Sequence, residues 1–284
     1  MSTHLRAPLL FATTMAAALL FGGAGPLTAQ TRPAQTRPAQ NLPAQTPPAP
    51  APASPTSAGA AIAGAAINQG LAALQTNQPR QALTDFQQAL QADPNSASAN
   101  LLASTAAIEL YQGPLAVQYA EKARQLDSAD WKIHTTLVAA YAAAGMKPQR
   151  DQERAILQQL HRTGPPDARQ ATGFLLEMFP EGPNRVDAIE EFEPMGEFHT
   201  YYRFLVHHPD GQRFWEIDVQ SNDFDERSWA AAHPSEAAQG ERQFQINGHG
   251  DNGQEVDYRM FSGHPDYDAI RAMVVQILKE RPPK

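Results

Sequence analysis

The chain has no cysteine in 284 residues. That excludes a disulfide framework, a thiolate metal site, a cysteine nucleophile and a lipid-modified N-terminal cysteine. Positive charge is also scarce: 22 Lys and Arg against 30 Asp and Glu leave a formal net charge of −8. Binding a phosphate backbone needs clustered cations, so the composition argues against a nucleic-acid partner. Aromatic residues make up only 8%. The apolar run at residues 9–21 has 13 residues, short of the roughly 20 that span a bilayer. Catalytic signatures are missing too: there is no His-Glu-x-x-His, no Gly-x-Ser-x-Gly elbow and no Walker-type loop.

What is present begins with an address. Arg6, the apolar run and the closing Leu27-Thr28-Ala29 have the order of a secretory signal peptide over residues 1–29, cut after Ala29. The expectation is an exported protein, periplasmic or secreted, with no transmembrane segment after cleavage. Residues 30–57 are rich in Pro, Ala and Gln, with eight prolines and Leu42 as the one large apolar residue. Such a stretch cannot bury enough surface to offset its ordering entropy, so it reads as a disordered, polyproline-like linker.

From residue 58 the composition turns to Ala, Leu and Gln with a helical period, and a 34-residue repeat emerges. Ala82, Ala116 and Arg150 keep that spacing, as do Ala89, Ala123 and Leu157, and Asp93, Asp127 and His161. Pro79, Pro114 and Pro148 follow short polar links, where a proline can open a helix because its missing N–H costs nothing there. Each period reads as a helix, a tight turn, a proline-started second helix and another turn.

These residues resemble the tetratricopeptide repeat over about residues 63–161. The first unit carries Gly70, Ala82, Phe86, Ala89 and Pro94 in the family's small, aromatic and proline columns. The second keeps Ala116, Ala123 and Leu126, and the third has Leu137, Tyr141 and Gly145. Arg150 and Arg154 break the pattern, which predicts less regular packing for the last helix. The resemblance implies an all-α array of helical hairpins, a right-handed solenoid whose neighbours bury a continuous core. It also implies a concave groove lined by the first helix of each unit. Carried over, the partner-binding residues are Ile67, Leu71 and Leu74, then Leu101, Thr105 and Ile108, with Glu109, Lys132, Thr135, Ala139 and Ala142 beside them. This lining is mainly apolar, so a hydrophobic or helical protein partner fits better than an acidic tail. Phe174, Leu175, Met178 and Phe179 predict a capping helix that closes the array at residue 180.

Residues 181–284 change character. Period-two alternation at residues 198–207 and 215–219 predicts a hairpin, residues 243–246 and 256–260 a second strand pair, and Pro265 a C-terminal helix. The expectation is a small α+β module with an antiparallel sheet. Charge separates sharply: residues 58–174 hold 9 basic and 9 acidic side chains, residues 175–230 hold 4 and 13.

Six of nine histidines lie beyond residue 198. His207 and His208 are adjacent, so on a strand they point to opposite faces and cannot share an ion. Asp218, Asp223, Asp225 and Glu226 could supply oxygen ligands but lack the spacing of a calcium loop. No catalytic, cofactor or metal residues are nominated. The leading reading is a non-enzymatic interaction adaptor or assembly scaffold in the cell envelope. Two alternatives stay open: an envelope enzyme with a metal-assisted site in the C-terminal module, and a structural unit whose own C-terminal module fills the groove. The sequence leaves oligomeric state and partner identity undefined.

Overall fold

A computed structural model describes residues 57–192, 199–209, 214–221, 243–250, 255–262 and 266–282. The signal peptide and nearly all of the linker lie outside these residues. Six helices come first: α1 (Ser57–Gln75), α2 (Pro79–Ala92), α3 (Ala97–Glu109), α4 (Gly113–Leu126), α5 (Trp131–Ala143) and α6 (Lys147–Thr163). The period of the sequence is the period of the structure. The second helices start at 79, 113 and 147, and α3 and α5 start at 97 and 131, each step being 34 residues.

The turns repeat as well. Asn77, Tyr111 and Gly145 occupy the same place between paired helices, and all three have a left-handed backbone, with φ of 56°, 56° and 71°. Glycine accepts that conformation freely and asparagine tolerates it. Tyrosine does not, so the second turn holds strain that the other two largely avoid. The other links are capped by side chains: Ser96 accepts from the Ala99 amide at 3.1 Å and Asp130 from the Lys132 amide at 3.0 Å. Each satisfies a donor the helix start leaves open.

Small residues let the helices close up. Ala82, Ala89, Ala116, Ala120 and Ala123 have no exposed surface, and Phe86, Leu137 and Leu157 fill the spaces between them. A Cβ at Gly70 would come within 2.4 Å of the Phe86 ring, and one at Gly113 within 2.3 Å of the Ala143 carbonyl. The small columns are therefore contacts between helices, not composition alone.

The expected capping helix does not form. A five-residue helix, α7 (Pro166–Gln170), is followed directly by strand β1 (Gly173–Glu181). An apolar run such as Phe174–Phe179 fits a strand as well as a helix by pattern. Here it pairs with β2 (Asn184–Glu191) through a tight turn in which Gly182 has φ of 58°. The sheet thus begins inside the segment assigned to the array. It continues antiparallel and in chain order through β3 (His199–His207), β4 (Phe214–Ser221), β5 (Gln243–His249) and β6 (Glu255–Ser262), and α8 (Tyr267–Glu280) closes the chain. The expected hairpins and the C-terminal helix are all present, and β1 and β2 are additions.

One apolar cluster joins the parts. Trp131, Val138 and Leu157 of the third hairpin pack with Phe174, Leu176 and Phe179 of β1, with Phe204, Ile217 and Ile246 of the sheet, and with Ile270, Val274 and Ile277 of α8. The helical array and the sheet share a core.

Candidate functional site

Arg150 and Arg154, which depart from the repeat pattern in the last unit, mark where the sheet docks. Arg150 is buried on α6. Its Nη1 donates to Asp268 of α8 at 3.1 Å, and its guanidinium lies 5.2 Å from the Tyr267 ring centre. Arg154 donates through Nε to Glu190 of β2 at 2.6 Å and through Nη2 to the Tyr202 hydroxyl at 3.2 Å. A third link runs from Arg271 of α8 to Glu177 of β1 at 2.7 Å, with the Tyr267 hydroxyl donating to the same carboxylate at 2.5 Å. Burial, reinforced by that carboxylate, pushes the Tyr267 hydroxyl well above the ordinary tyrosine range. Within the array, Glu153 is buried between Arg124 of α4 at 3.0 Å and His134 of α5 at 2.6 Å.

The groove residues fall into two groups. Ile67, Leu71 and Leu74 on α1 are half-buried against a cluster containing Phe86, Leu102 and Ala106. Leu101 and Ile108 on α3 are 5% and 3% exposed and belong to a cluster with Ile133, Leu137, Ala139 and, from β1, Met178. Thr105 is half-buried and bonds its own helix, its hydroxyl donating to the Leu101 carbonyl at 3.2 Å. Strand β1 runs against α5, the helix expected to form the groove's last wall. That end is thus covered by the chain itself, through residues that the sequence pattern assigns to a capping helix of the array. The other end differs: α1 carries no charged side chain, and Ile62 is 53% exposed. A cleft of about 210 Å³ opens where α3 and α5 begin, lined by Ala97, Ser98, Leu101, Asp127, Asp130, Lys132 and Ile133.

The sheet has two unlike faces. One supplies the shared apolar core. The other carries cross-strand rows of mostly polar side chains: Thr200–Gln220–Gln245, Arg203–Asp218–Asn247 and, ending on Leu205, Leu205–Glu216–His249. Arg203 Nε lies 3.0 Å from Glu216 and 3.3 Å from Asp218, and Nη2 lies 3.8 Å from Glu191. Gln220 donates to Asp218 at 3.2 Å and accepts from Asn247 at 3.1 Å. Burial, with Glu216 adding to it and Arg203 opposing, pushes the Asp218 carboxyl up to about 6. Asp218 was the first member of the acidic cluster noted in the sequence; its other three members lie outside the described residues. Among the described residues no group of three or more His, Asp or Glu is arranged to hold a metal ion, and no helix is long and apolar enough to cross a membrane.

A last group links the end of α3 to β2 through charge. Burial pushes the Glu109 carboxyl up to about 7, with Arg185 pulling it down and Asp187 pushing it further up. Tyr111, two residues on, is 43% exposed. Sequence reasoning placed Glu109 on the groove wall but could not see its neighbours, which lie about 76 residues away.

No family model matches the chain, and no curated protein matches it. Among solved structures, the Arabidopsis OM64 TPR domain is similar over 39% of this chain and 91% of that chain, at 18% identity and a TM-score of 0.35. Likeness at that level carries no argument, and the reading of the array rests on its own 34-residue geometry.

Proposed function

We propose that the protein is an exported, non-catalytic interaction scaffold of the tetratricopeptide type, with the right-handed stacking that type implies. Its groove takes an apolar segment of a protein partner. The observation that supports this reading is the chain's own use of the groove. Strand β1 runs against α5, and its Met178 and Leu175 join the apolar cluster that also holds Leu101 and Ile108. A partner would therefore engage the uncovered end, against Ile67, Leu71 and Leu74, reaching toward Thr105 and the cleft beside Leu101. Surfaces of half-buried aliphatic side chains without charge favour apolar contact over ion pairing.

A photo-crosslinking residue at Leu71, compared with one at exposed Gln87 on α2, tests the groove. The reading expects a discrete adduct from Leu71 that is lost in Leu74→Glu and is not formed from Gln87. Identical adducts from both positions, or none from Leu71, would remove the groove from consideration. Export is tested separately by the N-terminal residue of the mature protein, which should be Gln30.

A further inference from the structure

The cleft at the start of α3 and α5 is bordered by a link that differs in charge from its repeat counterpart. Asp127 and Asp130 bound the link between α4 and α5, and Asp93 and Ser96 hold the matching places one repeat earlier. All four cap backbone amides. Asp93 Oδ1 accepts from the Asn95 amide and Asp127 Oδ1 from the Ala129 amide, each at 3.1 Å, while Ser96 and Asp130 open α3 and α5. Serine and aspartate cap a helix about equally well, so capping alone does not call for the charge at position 130. The caps use one oxygen of each aspartate. Among the described residues no cation pairs with either carboxylate. Lys132, also on the cleft, makes no ion pair among them, and its charge acts on Asp167 of α7. The Asp167 carboxyl is held below the usual range chiefly by the Trp131 indole N–H and in part by Lys132. Ala97, Leu101 and Ile133 give the same cleft apolar surface. Its volume of about 210 Å³ is below the roughly 300–1,000 Å³ of small-molecule sites and suits one inserted side chain.

We propose that this cleft takes a basic side chain, arginine or lysine, from the partner segment that lies in the groove. Apolar surface and two carboxylates without a cation complement a side chain with a methylene stem and a cationic head. One ammonium stands against them, so the local charge is net negative and disfavours an anionic group. The partner itself rests on the groove reading above; the cleft alone decides the charge of what is inserted. The segment recognised is apolar along α1 and carries one basic residue toward the start of α5.

The test titrates the mature protein with N-butylguanidinium and with uncharged N-butylurea, following the amides of Ser98 and residues 127–133 by NMR. Saturable shifts are expected from the guanidinium, with the urea weaker by about tenfold. Asp127→Asn with Asp130→Asn keeps the caps, removes both charges and should weaken guanidinium binding by about tenfold. Lys132→Gln removes the opposing cation and should tighten it about twofold. Equal shifts from the two probes, no saturable shift, or a double variant that binds as well as the unmodified protein overturns the proposal. If the double variant does not fold, Asp130→Ser, which copies the preceding link, takes its place. In crosslinking from Leu71 the double variant should lose most of the adduct, and an undiminished yield overturns the cleft while leaving the groove. Absence of any Leu71 adduct in the unmodified protein overturns the groove reading. The probe titration, which involves no residue of α1, then still decides which charge the cleft takes.

Discussion

The first two hairpins and the third are built on one 34-residue plan but are held by different forces. In the first two, alanines with no exposed surface bring helices together around Phe86, and few charged groups take part. In the third, α6 presents Arg150, Glu153 and Arg154, all wholly or largely buried, toward α4, α5, β2 and α8. A repeat that only stacks on its neighbour needs small side chains on both faces. One that must also receive a sheet needs directional contacts, because ion pairs and hydrogen bonds fix an orientation that apolar packing leaves loose. The irregular columns of the last repeat are its docking residues.

The first hairpin is the most sensitive to loss of packing. Phe86→Ala removes a fully buried ring wedged against Gly70 and should cost about 3–5 kcal/mol in denaturant unfolding. Arg154→Ala comes next. It strands Glu190, whose carboxylate is largely buried, and should cost about 2–3 kcal/mol. The double change Arg154→Met with Glu190→Gln should recover much of this. Equal losses in the single and double variants would show that Arg154 packs and does not pair.

Smaller effects sharpen the picture. Tyr111→Gly relieves a left-handed tyrosine and should stabilise by about 1 kcal/mol, visible as a raised Tm. Asp218 should leave a signature in pH. Its folded carboxyl holds a proton up to about 6, above its unfolded value, so the folded state binds protons more tightly. The resulting stability is complete at pH below the unfolded value and is lost as pH rises through about 6. Asp218→Asn should flatten that decline, as read from unfolding midpoints at pH 4 through 7. Least of all, Lys147→Ala breaks an exposed pair with Asp268 and should cost under about 0.5 kcal/mol.

Much of the array was legible in the sequence because its signals are local. Proline openings, paired alanines and a 34-residue spacing recur often enough to reinforce one another. The mistake at β1 has an equally local cause: Phe174-Leu175-Leu176-Glu177-Met178-Phe179 is too short and too apolar for periodicity to separate strand from helix. Strand register settled it, since Phe174 faces Glu190 and Phe179 faces Val186 across the sheet. The residues assigned to the groove lie on α1 and α3, but their exposure was not legible. Leu101 and Ile108 are buried in a cluster that gathers residues of α4, α5 and, some 70 residues further along the chain, Met178 of β1, and no local pattern could announce that.

By itself, the sequence determined the proline-started helices, the 34-residue recurrence of the hairpin, and the alternating strands at residues 198–207 and 215–219. Those depend on backbone preference and on neighbours within a few residues. The tertiary structure decided that array and sheet share one apolar core, that Arg154 meets Glu190, and that Arg150 meets Asp268. Burial and electrostatic environment are set by distance in space, and residues far apart along the chain become neighbours only when it has folded.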